Sequence, residues 1–232
     1  MKGGEENLGQ DFITISLDLR FKLGTVNCFL VKIKSDYVLI DTGGTNNRRK
    51  LEEELGKAGC TPGNLKLIVL THGDFDHIGN AAFLRQKYDS KIAMHNDDFG
   101  MIESGDMFWN RTKPNFLIKA VAGLLFKLNN SDRIKPDVAV NDGHDLSCYG
   151  LSAKIVHLPG HSKGSIGLLT SSGDLFCGDL FENTKRPALN SIMDDMEAAH
   201  LSVEKLIKMK VKTVYPGHGN KFLLEQYFLK NQ

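Results

Sequence analysis

Histidine and aspartate side chains are concentrated in one short block of the chain. The segment His72-Gly-Asp-Phe-Asp-His77 places two imidazoles and two carboxylates within six residues. It follows the apolar run at residues 65–70, which is typical of a buried strand. Imidazole nitrogen and carboxylate oxygen are ligands of Zn²⁺ and similar divalent metals, and loops at strand ends can bring such donors together. We therefore predict a metal site here rather than a solvated surface.

Four further segments combine an aspartate or a histidine with nearby glycines, and each adjoins a predicted strand. They are residues 39–44 with Asp41, 158–165 with His161, 176–180 with Asp179, and 215–219 with His218. Glycines in such segments allow the backbone to pass close to a crowded cluster of side chains.

Together these five segments resemble, in order, the motifs of the metallo-β-lactamase fold superfamily. The block at His72 is similar to the family signature His-x-His-x-Asp-His, and the resemblance runs from Asp41 to Gly219. It implies an α/β fold, the αββα four-layer sandwich, with two mixed β-sheets packed face to face and helices outside. It also implies a hydrolase similar to the glyoxalase II or lactonase branch.

The resemblance further implies two divalent metal ions and their ligands. The first ion would be held by His72, Asp74 and His161, and the second by Asp76, His77 and His218, with Asp179 bridging the two. Asp41 resembles a carboxylate that orients a ligand without binding metal. Zinc is the first expectation. The family usually has histidine where this chain has Asp74, and this harder oxygen donor should let iron or manganese compete with zinc.

Hydrolysis is the reaction that such a centre predicts. Two metal ions lower the pKa of a bridging water to near neutrality and polarise a carbonyl oxygen. We expect the resulting hydroxide to attack an ester, thioester, lactone or related carbonyl, with Asp76 as the catalytic residue that passes a proton to the leaving group. The alternatives are an iron-dependent oxidoreductase of the same fold (flavodiiron-like or persulfide-dioxygenase-like), a phosphodiesterase, or a metal-binding module without catalysis.

The elements that must position these residues form two strand-rich halves, each with helices. In the first half we predict strands near residues 13–17, 26–33, 37–40, 65–70 and 91–94, and helices near 46–58 and 80–88. In the second half we predict strands near 152–157, 165–170, 174–177 and 211–215, and a helix near 196–210, capped by Asp194 or Asp195. Two such halves predict two packed sheets covered by helices.

A segment that fits neither half lies between them, at residues 96–142. We interpret the chain as one domain, residues 1–232, with this segment as an insertion that packs into the core or forms a lid or a dimer contact. Residues 116–128 are mostly apolar, with Lys119, Gly123 and Lys127 four residues apart, which predicts a largely covered helix. The protein's own core, a second subunit or a membrane surface would cover it. Phe108, Trp109 and Phe116 would form an apolar wall that favours substrates with a hydrophobic arm.

Composition restricts the partners and the compartment. The 232 residues contain 29 lysines and arginines against 28 aspartates and glutamates, and this balance argues against nucleic-acid binding. No apolar run reaches the length of a membrane span, and the polar start lacks a secretory signal pattern. The four cysteines are scattered, which is typical of reduced thiols. We expect a cytoplasmic protein, either monomer or homodimer, that acts on a small molecule.

Overall fold

The computed structural model describes residues 11–111 and 128–230, which form two β-sheets with helices on their outer faces. The strands are β1 (Phe12–Asp18), β2 (Thr25–Ile33), β3 (Asp36–Ile40), β4 (Leu65–Val69), β5 (Lys91–Met94), β6 (Val138–Ala139), β7 (Ala153–His157), β8 (Ile166–Thr170), β9 (Asp174–Asn183), β10 (Ala188–Leu189), β11 (Thr213–Gly219) and β12 (Phe222–Leu223). The helices are α1 (Arg48–Lys57), α2 (Phe75–Ile78), α3 (Ala81–Tyr88), α4 (Phe99–Ser104), α5 (Met196–Lys208) and α6 (Leu224–Lys230). Short 3-10 turns lie at Arg20–Lys22, Thr45–Asn47, Asn96–Asp98, Asn130–Asp132 and Ser147–Tyr149.

Both sheets are mixed. The first has the order β1-β2-β3-β4-β5-β6, antiparallel up to β3 and parallel from β3 to β6. The second has the order β12-β11-β9-β8-β7, with β10 paired to β9, and its one parallel pair is β9 with β11. Parallel strands end at the same edge of a sheet, so the loops after β3 and β4 emerge side by side.

Three layers of buried apolar side chains hold the sandwich together. The central layer lies between the sheets and combines Ile40 and Val69 of the first sheet with Phe176 of the second. One outer layer packs α1 and α3 against the first sheet, and the other packs α5 against the second. Side chains alternate between layers along each strand, so Val38 and Ile40 face the other sheet while Leu39 faces the helices. This arrangement confirms the predicted αββα sandwich.

Most of the predicted helices and strands match those of the structure, and the differences between them have local causes. The chain turns into α2 inside the histidine-rich block, where periodicity gives no signal over four residues. Strands β9 and β11 continue through their glycine motifs, because pairing between the two strands carries on past a register shift. Asp195 caps α5, its side chain accepting a hydrogen bond from the Ala198 amide. Met196 is 50% exposed because it occupies the first turn of α5.

The segment at residues 96–142 is only partly described. Its end contributes β6, which extends the first sheet beside β5. The predicted helix at residues 116–128 falls almost entirely outside the described residues, and its role as lid or dimer contact stays a prediction. Within the described ranges, no helix has the length and apolar character needed to cross a membrane.

Candidate metal centre

The sequence-predicted ligands converge at one edge of the sandwich. His72 and Asp74 lie in the loop after β4, and α2 then presents Asp76 and His77. The other donors come from the second half, where His161 lies in the loop between β7 and β8, Asp179 in β9 and His218 in β11. Gly217 is required for this convergence, because a Cβ there would lie 2.3 Å from Asp179 Oδ1.

Two groups of donor atoms result, and Asp179 lies between them. The first group comprises His72, His161 and Asp179, and the second comprises Asp76, His77 and His218; in each, the ligand atoms lie within 4.8 Å of one another. Asp179 Oδ1 lies 3.3 Å from His77 Nε2, and Oδ2 lies 3.2 Å from His218 Nε2 and 3.9 Å from His161 Nε2.

All four histidines present Nε2 to the cluster, because each Nδ1 has a partner elsewhere. Nδ1 of His72, His77, His161 and His218 lies 3.0, 2.8, 2.6 and 2.8 Å, respectively, from Thr71 Oγ1, Asp41 Oδ2, the Ile192 carbonyl and the Thr25 carbonyl. Asp41, predicted to orient a ligand, also accepts hydrogen bonds from the Thr71 amide and hydroxyl, at 2.8 and 2.7 Å. The sequence had singled out neither Thr71 nor the two carbonyl groups.

Three buried atoms of the two donor groups make no hydrogen bond within the described residues: His72 Nε2, His77 Nε2 and Asp179 Oδ1, the last two forming an ion pair at 3.3 Å. A buried polar atom without a partner costs free energy, so native proteins rarely leave one unexplained. These atoms are of the types that bind divalent metals, and they belong to both donor groups. The side chains therefore fit metal ions at this edge.

Charge supports the same conclusion. Burial alone would lower the pKa of His218, but the Asp179 carboxylate outweighs it and raises that pKa to about 9. The burial of Asp179 would raise its own pKa, but His218 and His77 hold it well below its ordinary value. The raised pKa values of His77 and His218 therefore let these two rings offset the buried carboxylates by taking up protons, a task that metal ions perform when bound.

Asp74 has a partner that the sequence did not reveal. Arg111 Nη2 lies 2.7 Å from Asp74 Oδ1, and Arg111 is the last described residue before residue 128. Burial would raise the pKa of Asp74, but Arg111 and His161 hold it well below its ordinary value. Asp74 belongs to neither of the two donor groups described above. No short-range motif marks Arg111, which lies 37 positions along the chain from its partner.

Asp98 is a second residue near the centre that no sequence motif indicated. It is fully buried, and its carboxylate accepts hydrogen bonds from the Gly73 amide at 3.2 Å, the Ser162 hydroxyl at 2.5 Å and the Gly164 amide at 2.8 Å. It therefore joins the loop that carries His72 to the loop that carries His161. Asn190 similarly donates to Asp179 Oδ2, at 3.1 Å.

His95, Asp97 and His157 form a third group of potential metal ligands. The rings of His95 and His157 stack, with centroids 4.3 Å apart and planes 4° apart, and Asp97 lies nearby. His157 Nε2 contacts the Lys163 carbonyl, and His95 Nδ1 accepts from the Asp97 amide. Imidazole binds metal in its ring plane, so two rings stacked in parallel cannot both direct a lone pair at one ion. The hydrogen bonds and the stacking therefore give both histidines a structural role.

Comparison with known proteins points to one family. The family model described as the metallo-beta-lactamase superfamily matches residues 22–218. The hydroxyacylglutathione hydrolase GloC of Haemophilus influenzae is 32% identical over 162 residues, which are 66% of this chain and 66% of that protein. The acyl-coenzyme A thioesterase MBLAC2 of Bos taurus is 28% identical over 227 residues, covering 87% of this chain and 76% of that protein. The chain thus spans about two thirds to three quarters of the length of these two relatives.

Solved structures agree on the fold. The crystal structure of TTHA1623 in a di-iron-bound form superposes with a TM-score of 0.70, at 24% identity, over 92% of this chain and 96% of that one.

Proposed function

Because the chain belongs to the metallo-β-lactamase superfamily, we propose that it is a metal-dependent hydrolase that cleaves an acyl thioester or a related ester. The main support is that two buried donor groups meet at Asp179, and three of their metal-binding atoms make no hydrogen bond in the described part of the chain. The relatives support the substrate class, since the names of both describe hydrolysis of an acyl thioester.

We propose the ligand sets that the family resemblance implies, and the two donor groups contain every member of them except Asp74. His72, Asp74 and His161 would hold one ion, and Asp76, His77 and His218 the other, with Asp179 shared. Ions bound there would lower the pKa of water towards neutrality and polarise the substrate carbonyl. Zinc is our first expectation, and iron or manganese would be favoured by the oxygen donor at Asp74.

Asp76 is the residue we propose for proton transfer to the leaving group. Burial raises its pKa, assisted by the Asp179 and Asp74 carboxylates and opposed by His77 and His218. A raised pKa makes a carboxylate a stronger base, which suits a group that takes up a proton and passes it on. Replacing Asp76 with Asn should reduce turnover in protein that still binds metal. Unchanged turnover with full metal content would remove this role.

The apolar residues after α4 lead us to propose a substrate with a hydrophobic arm. Trp109 is 55% exposed and lies two residues from Arg111, which itself reaches the centre. An exposed indole two residues from a side chain that reaches the centre could offer apolar surface to an acyl chain. Thioesters with long acyl groups should therefore have a lower KM than acetyl thioesters, and Trp109→Ala should reduce that difference.

A substrate panel tests the hydrolase directly. Metal-reloaded full-length protein would be assayed with acyl-coenzyme A and acyl-glutathione thioesters, a lactone and an aryl phosphodiester. We expect the thioesters to give the highest kcat/KM, and expect His77→Ala to abolish it while His200→Ala, on the exposed side of α5, leaves it unchanged. Preference for the phosphodiester, or equal activity of His77→Ala and wild type, would contradict the proposal.

An iron-dependent oxidoreductase is the second candidate, and Asp74 is the observation that favours it. A carboxylate at this position resembles the acidic residue of flavodiiron proteins. The two candidates differ in colour and in oxygen consumption, because iron-loaded protein absorbs visible light and a zinc enzyme does not. Iron retained through purification, together with oxygen uptake, would favour this candidate over hydrolysis.

A further inference from the structure

Arg111 places a permanent positive charge inside one of the two donor groups. Its side chain is only 6% exposed, although it belongs to the segment between the two halves of the sandwich. Nη2 lies 2.7 Å from Asp74 Oδ1 and 3.2 Å from His161 Nε2. Both residues are proposed ligands of the first ion. Arginine stays protonated at any pH at which the protein is folded, so this charge cannot be removed by titration.

The contact with His161 uses the atom that a metal would need. His161 Nδ1 lies 2.6 Å from the Ile192 carbonyl, which can only accept, so the proton of neutral His161 lies on Nδ1. His161 Nε2 lies within hydrogen-bond distance of both Arg111 Nη2, at 3.2 Å, and Asp74 Oδ2, at 3.0 Å. An ion bound to His161 requires the lone pair of this same Nε2 atom and would have to displace both contacts.

The two carboxylate oxygens of Asp74 face different partners. Oδ1 faces Arg111, whereas Oδ2 lies 3.0 Å from His161 Nε2 and 3.8 Å from His72 Nε2. The second donor group differs, because the ion pairs of Asp76 and Asp179 in the described part of the chain involve only histidines. A fixed cation is therefore present in one donor group and not in the other.

Backbone hydrogen bonds and packing against α4 fix the position of Arg111. The Arg111 amide donates to the Phe108 carbonyl at 3.3 Å, and the Trp109 amide to the Asp106 carbonyl at 3.0 Å. The Trp109 ring packs directly on Gly100 of α4, where a Cβ would lie 2.2 Å from the ring. Glycine at this position thus allows the loop to lie close against α4 and to direct Arg111 inwards.

We propose that Arg111 makes the two metal positions unequal. Its guanidinium competes with the first ion for His161 and Asp74, so the ion at Asp76, His77 and His218 binds first and more tightly. The first position fills only when Arg111 gives up both contacts. This inference rests on the metal centre of the proposed function, but not on the hydrolysis of any substrate.

The test is a cobalt titration of metal-free, full-length protein. Visible absorption would follow Co²⁺ binding, a competing chelator would fix the affinities, and elemental analysis would give the bound equivalents. Wild type should bind cobalt in two separate steps. Arg111→Met removes the charge while keeping the length of the side chain, so it should tighten the weaker step by about tenfold or more. Arg111→Lys keeps the charge and should stay closer to wild type.

Arg85→Met is the matched control, because Arg85 is also ion-paired with an aspartate, Asp137, that is not a proposed ligand. It should leave both steps unchanged, and circular dichroism would verify the fold of every variant. If Arg111→Met leaves the weaker binding step unchanged or weakens it, Arg111 stabilises Asp74 as a ligand, and the proposed competition between Arg111 and the first ion is wrong. Two equal, tight binding steps in wild type would contradict the proposed competition without any variant. Wild type that binds no cobalt would overturn the metal centre and the proposed function as well.

Discussion

At the scale of single residues, the centre contains more buried negative charge than its fixed cation can balance. Asp41, Asp74, Asp76 and Asp179 are all buried at this edge, whereas the one fixed cation paired with any of them in the described ranges is Arg111, at Asp74. Burying charge without compensation is costly, so the cluster must take up protons or metal ions. Bound metal ions would balance this charge and also use the Nε2 lone pairs of His72 and His77, which is why we favour metal ions over protons.

Asp41→Asn tests how His77 is oriented. Asp41 Oδ2 lies 2.8 Å from His77 Nδ1, and losing its charge should weaken the hold on the ring and its basicity at Nε2. Metal affinity at the second position should fall by about 10- to 100-fold, the usual effect of removing such a partner. Chelator competition measures it, with Asp36→Asn at the start of β3 as the control. Equal affinity in wild type and Asp41→Asn would show that the contact does not tune the ligand.

Asp74→His tests the metal preference. Imidazole is a softer donor than carboxylate, so this variant should bind zinc better relative to manganese or iron(II). Competition of the two metals for protein at limiting concentration, followed by elemental analysis, gives the ratio. An unchanged ratio would mean that Asp74 does not set the selectivity. Since Asp74 is also the ion-pair partner of Arg111, the double variant Asp74→His/Arg111→Met separates the two effects.

At the scale of elements, the centre depends on loops held in register with each other. The aspartate and histidine positions could be predicted from sequence because they occupy short motifs at strand ends, and the strands themselves showed clear apolar patterns. Arg111 and Asp98 could not, because their partners lie far along the chain and no periodicity marks them. Only the packing of α4 and its flanking turns against the histidine loops brings them to the site. The ligand roles of the motif residues remain predictions.

Asp98→Ala tests this link between loops. The substitution leaves the Gly73 and Gly164 amides and the Ser162 hydroxyl without their buried acceptor. An unsatisfied buried donor costs about 1–3 kcal/mol, so the free energy of unfolding should fall by about 3 kcal/mol in total. Urea denaturation of the metal-free protein measures it. The neighbouring Asp97, whose side chain is 50% exposed, supplies the control, and Asp97→Ala should change stability by less than about 0.5 kcal/mol. Similar losses in both variants would argue against the link.

At the scale of the whole molecule, two sheets and two helical layers bury nearly all the apolar side chains that the strand patterns marked. The same burial protects three of the four thiols. Cys28, Cys60 and Cys177 are buried and Cys148 is exposed, and burial raises the pKa of both Cys60 and Cys177 to about 12. Only a thiolate reacts quickly with a disulfide reagent, so burial suppresses both access and reactivity.

Thiol titration therefore reports on the integrity of the sandwich. Native protein should react with 5,5′-dithiobis(2-nitrobenzoate) at one fast thiol, and protein in guanidinium chloride at all four. Cys148→Ser should remove the fast phase and leave the slow thiols unchanged. More than one fast thiol in the native protein would show that the packed layers open readily or that the cysteines are placed differently.

Anomalous diffraction is the most direct test of whether the side chains around Asp179 bind metal. Crystals of the full chain grown with excess zinc would be measured on both sides of the zinc absorption edge. We expect two anomalous peaks that adjoin Asp179, one at His72 and His161 and the other at His77 and His218. Absence of a peak at both groups, or a peak only at His95 and His157, would contradict this expectation.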